Sequence, residues 1–178
     1  ENRDRYILLW GGRGSGKTDS TQKKIILRLL TAPYFKGVLV RKVYDTIKES
    51  QYEGIKNEIY NMGLESLFKF TVSPLSIKCI NGNRILARGL DKAEKIKGID
   101  NPSFVWYEEG NDMTEDDFNT VTTTIRSKKA DYLQEIFSFN PETEEPNFSD
   151  FWIYKKFFSH TNEKSFRSST EVEVEIGG

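Results

Sequence analysis

The stretch Ile7–Gln22, ILLWGGRGSGKTDSTQ, decides how the rest of the chain is read. A short apolar run ends at Trp10, glycines then crowd the chain, and Lys17 and Thr18 close the cluster. The spacing Gly11-x-x-x-x-Gly16-Lys17-Thr18 satisfies the phosphate-binding loop in full. Glycines let the main chain turn tightly and turn its N–H groups toward a polyphosphate. On this reading Gly11, Gly12, Arg13, Gly14, Ser15, Gly16, Lys17 and Thr18 bind a nucleotide. Lys17 reaches the β- and γ-phosphates, and the Thr18 hydroxyl binds Mg²⁺. A Gly-rich turn without a ligand is the bland alternative, and context weighs against it. Arg5–Trp10 reads as a buried strand, and Lys17–Leu30 as a helix with Ile25/Leu29 and Ile26/Leu30 at i,i+4. The helix aims its positive end at the anion.

Composition narrows the remaining classes. With 178 residues the chain reads as one domain with a real core. A formal charge of −1 leaves no global basic footprint, so contact with nucleic acid has to be local or made elsewhere in the protein. The single Cys79 excludes a disulfide framework and a cysteine-based zinc site, and the single His160 a multi-histidine one. No apolar run approaches the ~18 residues of a membrane span, and we expect no membrane association. The first strand begins within a few residues of the N-terminus, as expected for a domain excised from a longer protein.

Strand and helix signals alternate along the chain. Gly37–Arg41 is a second buried strand, and Ile47, Tyr52, Ile55, Ile59 and Tyr60 recur at helical spacing up to a C-cap at Gly63. Two alternating runs flank Asn81-Gly82, a preferred two-residue hairpin turn. Thr114 with Asp117 three residues on opens a helix expected to end near Arg126. YLQEIFSFNP is another strand, and NFSDFWIYKKFF an aromatic helix packed on the sheet. The terminal SSTEVEVEIGG alternates like a strand and receives no function. This pattern gives an α/β class with a mostly parallel central sheet and an added antiparallel hairpin.

Binding becomes hydrolysis only with a second acidic strand end, and Phe104–Glu109, FVWYEE, supplies one. Glu108 is expected to hold Mg²⁺, and Glu109 to orient and deprotonate the attacking water. Adjacent strand residues point to opposite sides, so the two roles require the backbone to turn there, which Gly110 permits. Ser138 and Asn140 close another strand, where a polar group can sense the γ-phosphate. The transferring phosphoryl also needs positive charge. Arg13 in the loop is the candidate in cis, and Lys97 and Arg126 are candidates acting on a neighbouring subunit.

With these pieces placed, Tyr6 to Phe158 resembles the ATPase domain of the large terminase subunit of tailed bacteriophages. The segments that carry the resemblance are WGGRGSGKT, VLVRKVYDTIKESQYEGIK, INGNRILARGLDKAEKIKGI, FVWYEEG, DFNTVTTTIRS and FSFNP followed by FWIYKKFF. The resemblance implies a RecA-like P-loop ATPase over residues 1–158, with 159–178 as a tail. It implies ATP and Mg²⁺ as cofactors, Glu109 as the catalytic glutamate after the Mg-binding Glu108, and Ser138 and Asn140 as coupling residues. Many members carry Asp where Glu108 stands, and often Arg where Lys97 stands. The implied work is packaging of double-stranded viral DNA into a procapsid by a homo-oligomeric ring. Its partners are the portal protein and the small terminase subunit, in the host cytoplasm and transiently at the portal vertex. Nuclease activity is not assigned to these residues. A helicase-type motor, or a nucleotide-gated assembly subunit without turnover, is the alternative. No Asn-Lys-x-Asp motif supports a GTPase, and a small-molecule kinase has no need of adjacent glutamates.

Overall fold

A computed structural model describes residues 2–12, 14–92, 94–140 and 150–159. Seven strands form one sheet in the order β1-β7-β6-β2-β5-β4-β3. They are β1 (Tyr6–Trp10), β2 (Lys36–Arg41), β3 (Phe68–Val72), β4 (Leu75–Cys79), β5 (Arg84–Gly89), β6 (Phe104–Glu108) and β7 (Gln134–Phe139). The first five in that order pair in parallel, and β4 and β3 add antiparallel pairs. The expected α/β class with a mostly parallel sheet is what the chain forms.

Helices cover both faces, so β6 up to Tyr107 and the middle of β2 are apolar, as buried parallel strands are, while β7 also buries Gln134, Glu135 and Ser138. On one face α1 (Lys17–Thr31), a π-helical turn (Lys48–Tyr52) and α2 (Glu53–Asn61) cover Leu39, Phe104, Trp106 and Ile136. On the other, α3 (Glu94–Lys97), α4 (Glu115–Thr122) and a π-helical turn (Tyr154–Phe158) cover Val38, Val40, Val105, Tyr107 and Phe137. The aromatic segment near 150–158 packs on the sheet as expected, with Ile153, Phe157 and Phe158 buried.

Two local expectations are corrected, and one strand is added. The Asn81-Gly82 hairpin has a three-residue loop, because the Cys79 N–H donates to the Asn83 carbonyl and leaves Ile80, Asn81 and Gly82 between the strands. A two-residue type I′ turn needs two left-handed residues. Here only Gly82 takes that conformation (φ 96°), while Asn81 spends its side chain on the Leu29 and Leu30 carbonyls. The helix opened by the Thr114–Asp117 capping box stops at Thr122 rather than Arg126. Its end is a β-branched run, where the Thr123 and Thr124 hydroxyls donate back to helix carbonyls. Strand β3 was not anticipated; its FKFTV pairs with β4 and extends the sheet. Residues 160–178, and with them the alternating terminal run, lie outside the described residues.

One buried polar network ties two strands and Arg5, just before β1, to α4. Glu135 on β7 is wholly buried. Its carboxylate accepts from Tyr107 Oη at 2.6 Å, Thr122 Oγ1 at 2.7 Å and Arg5 Nη2 at 2.7 Å. Burial raises its pKa against these partners. The stability this group contributes is therefore full below the ordinary carboxylate value and falls as pH rises through the raised one. Replacing Glu135 with Leu leaves the Tyr107 hydroxyl without its carboxylate acceptor and takes the ion-pair partner from Arg5, which keeps the Thr122 and Ile125 carbonyls, and is expected to cost about 3 kcal/mol in denaturant titrations. With Glu135→Gln the pH dependence from this site disappears, so wild type loses ground to that variant as pH rises through the weakly acidic range.

Candidate functional site

The phosphate loop leaves the carboxyl end of β1, the edge of an open α/β sheet where ligands bind. Gly14 and Gly16 stand at φ 79° and 81°, a left-handed backbone that any Cβ would strain. Gly16 is also the N-cap of α1, and no side chain caps that helix. Its first N–H groups therefore remain available to an anion. Lys17 folds across the loop. Its Nζ donates to the Gly11 carbonyl at 2.5 Å, the Gly12 carbonyl at 3.0 Å, Ser15 Oγ at 2.9 Å and Asn140 Oδ1 at 3.1 Å. Burial lowers its pKa.

Sheet order explains how distant residues meet. Strand β7 lies between the loop strand β1 and the acidic strand β6. The end of β7 therefore sits between the loop and the two glutamates. Register sets Glu108 beside Ser138, and Val40 beside Tyr107. Arg41, one residue on from Val40, thus comes level with Glu108. A cleft of about 460 Å³ opens there, lined among others by Gly16, Lys17, Thr18, Glu108, Glu109 and Asn140. The structure brings Lys17 and Glu109 to one cavity, of a volume typical for ligand sites.

The two glutamates do take different directions, but the turn is not where glycine stands. Glu109 itself is left-handed (φ 54°) and Gly110 is not among the positive-φ residues. Gly110 is buried, and a Cβ there would meet Phe137 at an ordinary contact distance of 3.4 Å. A non-glycine residue in this conformation carries local strain of about 1–3 kcal/mol, and such residues cluster at working sites. The Glu108 side chain is 13 % exposed and that of Glu109 55 %. Burial raises the pKa of Glu108, opposed by Arg41 and by Ser50.

Arg41 is the site residue that reading the residues one by one did not assign a role. Its Nη2 pairs with Glu109 Oε2, and its Nε lies 3.8 Å from Glu108 Oε2. Its Nη1 donates to Ser50 Oγ at 3.1 Å and to the Thr46 carbonyl at 3.2 Å. The signal was present: Arg41 ends a buried strand, and the Arg41-Lys42 pair was part of the resemblance.

The residues fit a triphosphate and a divalent cation on their own chemistry. The uncapped helix start and left-handed glycines form a cradle for oxyanions. Glu108 Oε2 is buried with no hydrogen-bond partner among the described residues, an acceptor free to meet a cation. Thr18 lines the same cleft.

Other sequence-derived candidates are placed elsewhere. Ser138 lines the cleft but is 3 % exposed, and its Oγ accepts the Trp106 indole N–H at 2.9 Å. Lys97 and Arg126 line a separate cleft of about 530 Å³ with Lys128 and Asp100. That cleft lies at the amino ends of the parallel strands, where the Asp100 carbonyl accepts from Lys36 of β2. Neither cation belongs to the phosphate-loop cleft of its own chain. Arg13 lies outside the described residues. No helix among the described residues is long and apolar enough to cross a membrane.

Comparison with known proteins adds three findings. The family model described as phage terminase large subunit matches residues 3–175. The PBSX phage terminase large subunit of Bacillus subtilis (strain 168) is 30% identical over 161 residues, covering 90% of this chain and 36% of that protein. The terminase large subunit of Bacillus phage SPP1 is 32% identical over 164 residues, covering 87% and 37%. This chain thus spans little more than a third of the length of the curated relatives it matches. Among solved structures, the large terminase of a thermophilic bacteriophage superposes with a TM-score of 0.69 at 15% identity, over 88% of this chain and 37% of that one. That likeness shows a shared fold. The same phage protein has also been solved in complex with ATP-γ-S.

Proposed function

The chain belongs to the phage terminase large subunit family, and from that premise we propose that it is the ATP-hydrolysing motor domain of a protein that packages double-stranded viral DNA into a procapsid. The observation that carries the reading is the shared cleft: phosphate loop on one side, Glu108 and Glu109 on the other. Residues Gly11 to Thr18 seat the triphosphate, and Lys17 neutralises its β- and γ-phosphates. Thr18 and Glu108 hold Mg²⁺, which supplies charge at the oxygens where negative charge gathers. Glu109 orients a water in line with the γ-phosphate and takes its proton. Asn140, hydrogen-bonded to Lys17, reports the γ-phosphate, and Ser138 belongs to the same coupling strand. Arg13 supplies positive charge in cis. Lys97 and Arg126, which line the other cleft, serve the loop of a neighbouring chain.

The partners follow from the family rather than from the fold: double-stranded DNA, the portal protein, the small terminase subunit, and further copies of this chain in a ring. The place of action is the host cytoplasm and the portal vertex. A ring repeats even a modest basic patch around the DNA, so a formal charge of −1 is compatible with the task. The test is Mg²⁺-dependent ATP turnover by the full-length protein, followed against protein concentration with and without duplex DNA. The expected result is a rate per chain that rises with concentration and rises again with DNA. Absence of turnover at every concentration defeats the ATPase reading, and turnover indifferent to DNA defeats the packaging one.

A further inference from the structure

Side chains two apart on an extended chain share a face, so Ser138 near the end of β7 stands directly behind Asn140, just past that end. Asn140 meets Lys17 in the cleft, whereas Ser138 turns its hydroxyl to the Trp106 indole. Trp106 is wholly buried, two residues before Glu108 on β6. Its main-chain carbonyl accepts from Gln51 Nε2 at 3.1 Å. Gln51 is itself wholly buried, and its Oε1 has no hydrogen-bond partner among the described residues. Buried orphan acceptors are uncommon and mark strained or working positions.

Gln51 lies in the π-helical turn Lys48–Tyr52, and single π turns are frequent at functional sites. The residue before it, Ser50, accepts from Arg41, the arginine that pairs with Glu109 and stands near Glu108. One short turn therefore touches the coupling strand through Gln51 and Trp106, and the acidic pair through Ser50 and Arg41.

We infer that Gln51 and Trp106 are positioning residues that fix the coupling strand, through Ser138, to the π-helical turn that seats Arg41 beside the two carboxylates. The inference rests on the ATPase reading above. It extends that reading by giving the acidic pair and the γ-phosphate-facing strand a common mechanical support, in which a displacement of either reaches the other through three buried side chains.

The test uses the full-length protein and a volume-matched variant, Gln51→Met, which deletes the amide and keeps the packing. It is expected to lower kcat for ATP by about tenfold, with KM and thermal midpoint close to wild type. Ser138→Ala is expected to lower kcat likewise, with a lower thermal midpoint because the buried indole N–H loses its acceptor, and the double variant to show the kcat of the worse single one, because both cut the same path. Amide hydrogen exchange supplies a readout that needs no turnover. In wild type, ATP-γ-S is expected to alter exchange across residues 48–52 as well as the phosphate loop. In Gln51→Met the change is expected to stay in the loop. Unchanged kcat in Gln51→Met, independent losses that multiply in the double variant, or nucleotide-bound wild type without any response at 48–52 overturns the inference. A wild type that binds no nucleotide overturns the ATPase reading instead, and this inference with it.

Discussion

Replacing Glu109 with Gln is expected to lower ATP turnover by about 10²–10⁴-fold, the usual worth of a positioned general base, while nucleotide affinity stays near wild type. The amide has nearly the shape of the carboxylate and tolerates the same left-handed backbone, so the strand end keeps its course. What is lost is a group able to take a proton from water. Glu109 sits at the exposed rim of the cleft, with its side chain 55 % accessible. Deleting its charge takes one of two carboxylates from Arg41 but leaves Glu108 at 3.8 Å from the guanidinium, so the expected loss of stability is small. Steady-state phosphate release and fluorescent-nucleotide titration, run on the same preparation, separate the two quantities. Turnover within tenfold of wild type would mean that another group activates the water.

Lys17→Ala is expected to fail in a different way. A hydrogen bond to a charged group contributes about 1.5–3 kcal/mol, so nucleotide affinity should fall by about 10–100-fold, and turnover should be lost along with it. The ammonium also knits the loop together through the Gly11 and Gly12 carbonyls, Ser15 and Asn140. Losing it leaves those acceptors to water and loosens the cradle before any ligand arrives. Lys17→Arg is not a rescue, since the planar guanidinium cannot occupy a pocket shaped around a compact point charge. The two variants together diagnose the site: one keeps binding and loses chemistry, the other loses both. A Lys17→Ala protein that binds nucleotide as tightly as wild type would dismiss the phosphate-loop assignment.

The sequence was most legible where a residue type admits one physical use. The loop glycines, the alternation of strands and helices, and the Thr114–Asp117 capping box all formed as expected, although β1, read as buried, is a half-buried edge strand. Legibility failed where the outcome depends on partners far along the chain. Nothing local to KVYDTIKESQ says that Gln51 will meet Trp106, or that the turn will widen to π geometry. Arg41 acquires its role only once β2 lies beside β6, which register decides. Glycine beside a glutamate pair points to Gly110 as the site of the bend; Glu109 takes the bend instead, at φ 54°. The β3 hairpin was missed because Phe68–Val72 carries a short and only partly buried pattern.

The central strand β6 is buried on both sides from Phe104 to Tyr107. Such a strand has no solvent face to penalise a slip, so burial alone specifies its alignment weakly. Two polar bonds break that degeneracy, one on each side: Trp106 to Ser138 and Tyr107 to Glu135. They work as alignment keys. A chain zipped one notch off would bury its aromatics nearly as well, yet leave the indole, the phenol and their mates mismatched inside a dry interior. Correct assembly of the acidic strand end is thus proofread in the middle of the sheet, by hydroxyls and an indole that need never touch a ligand.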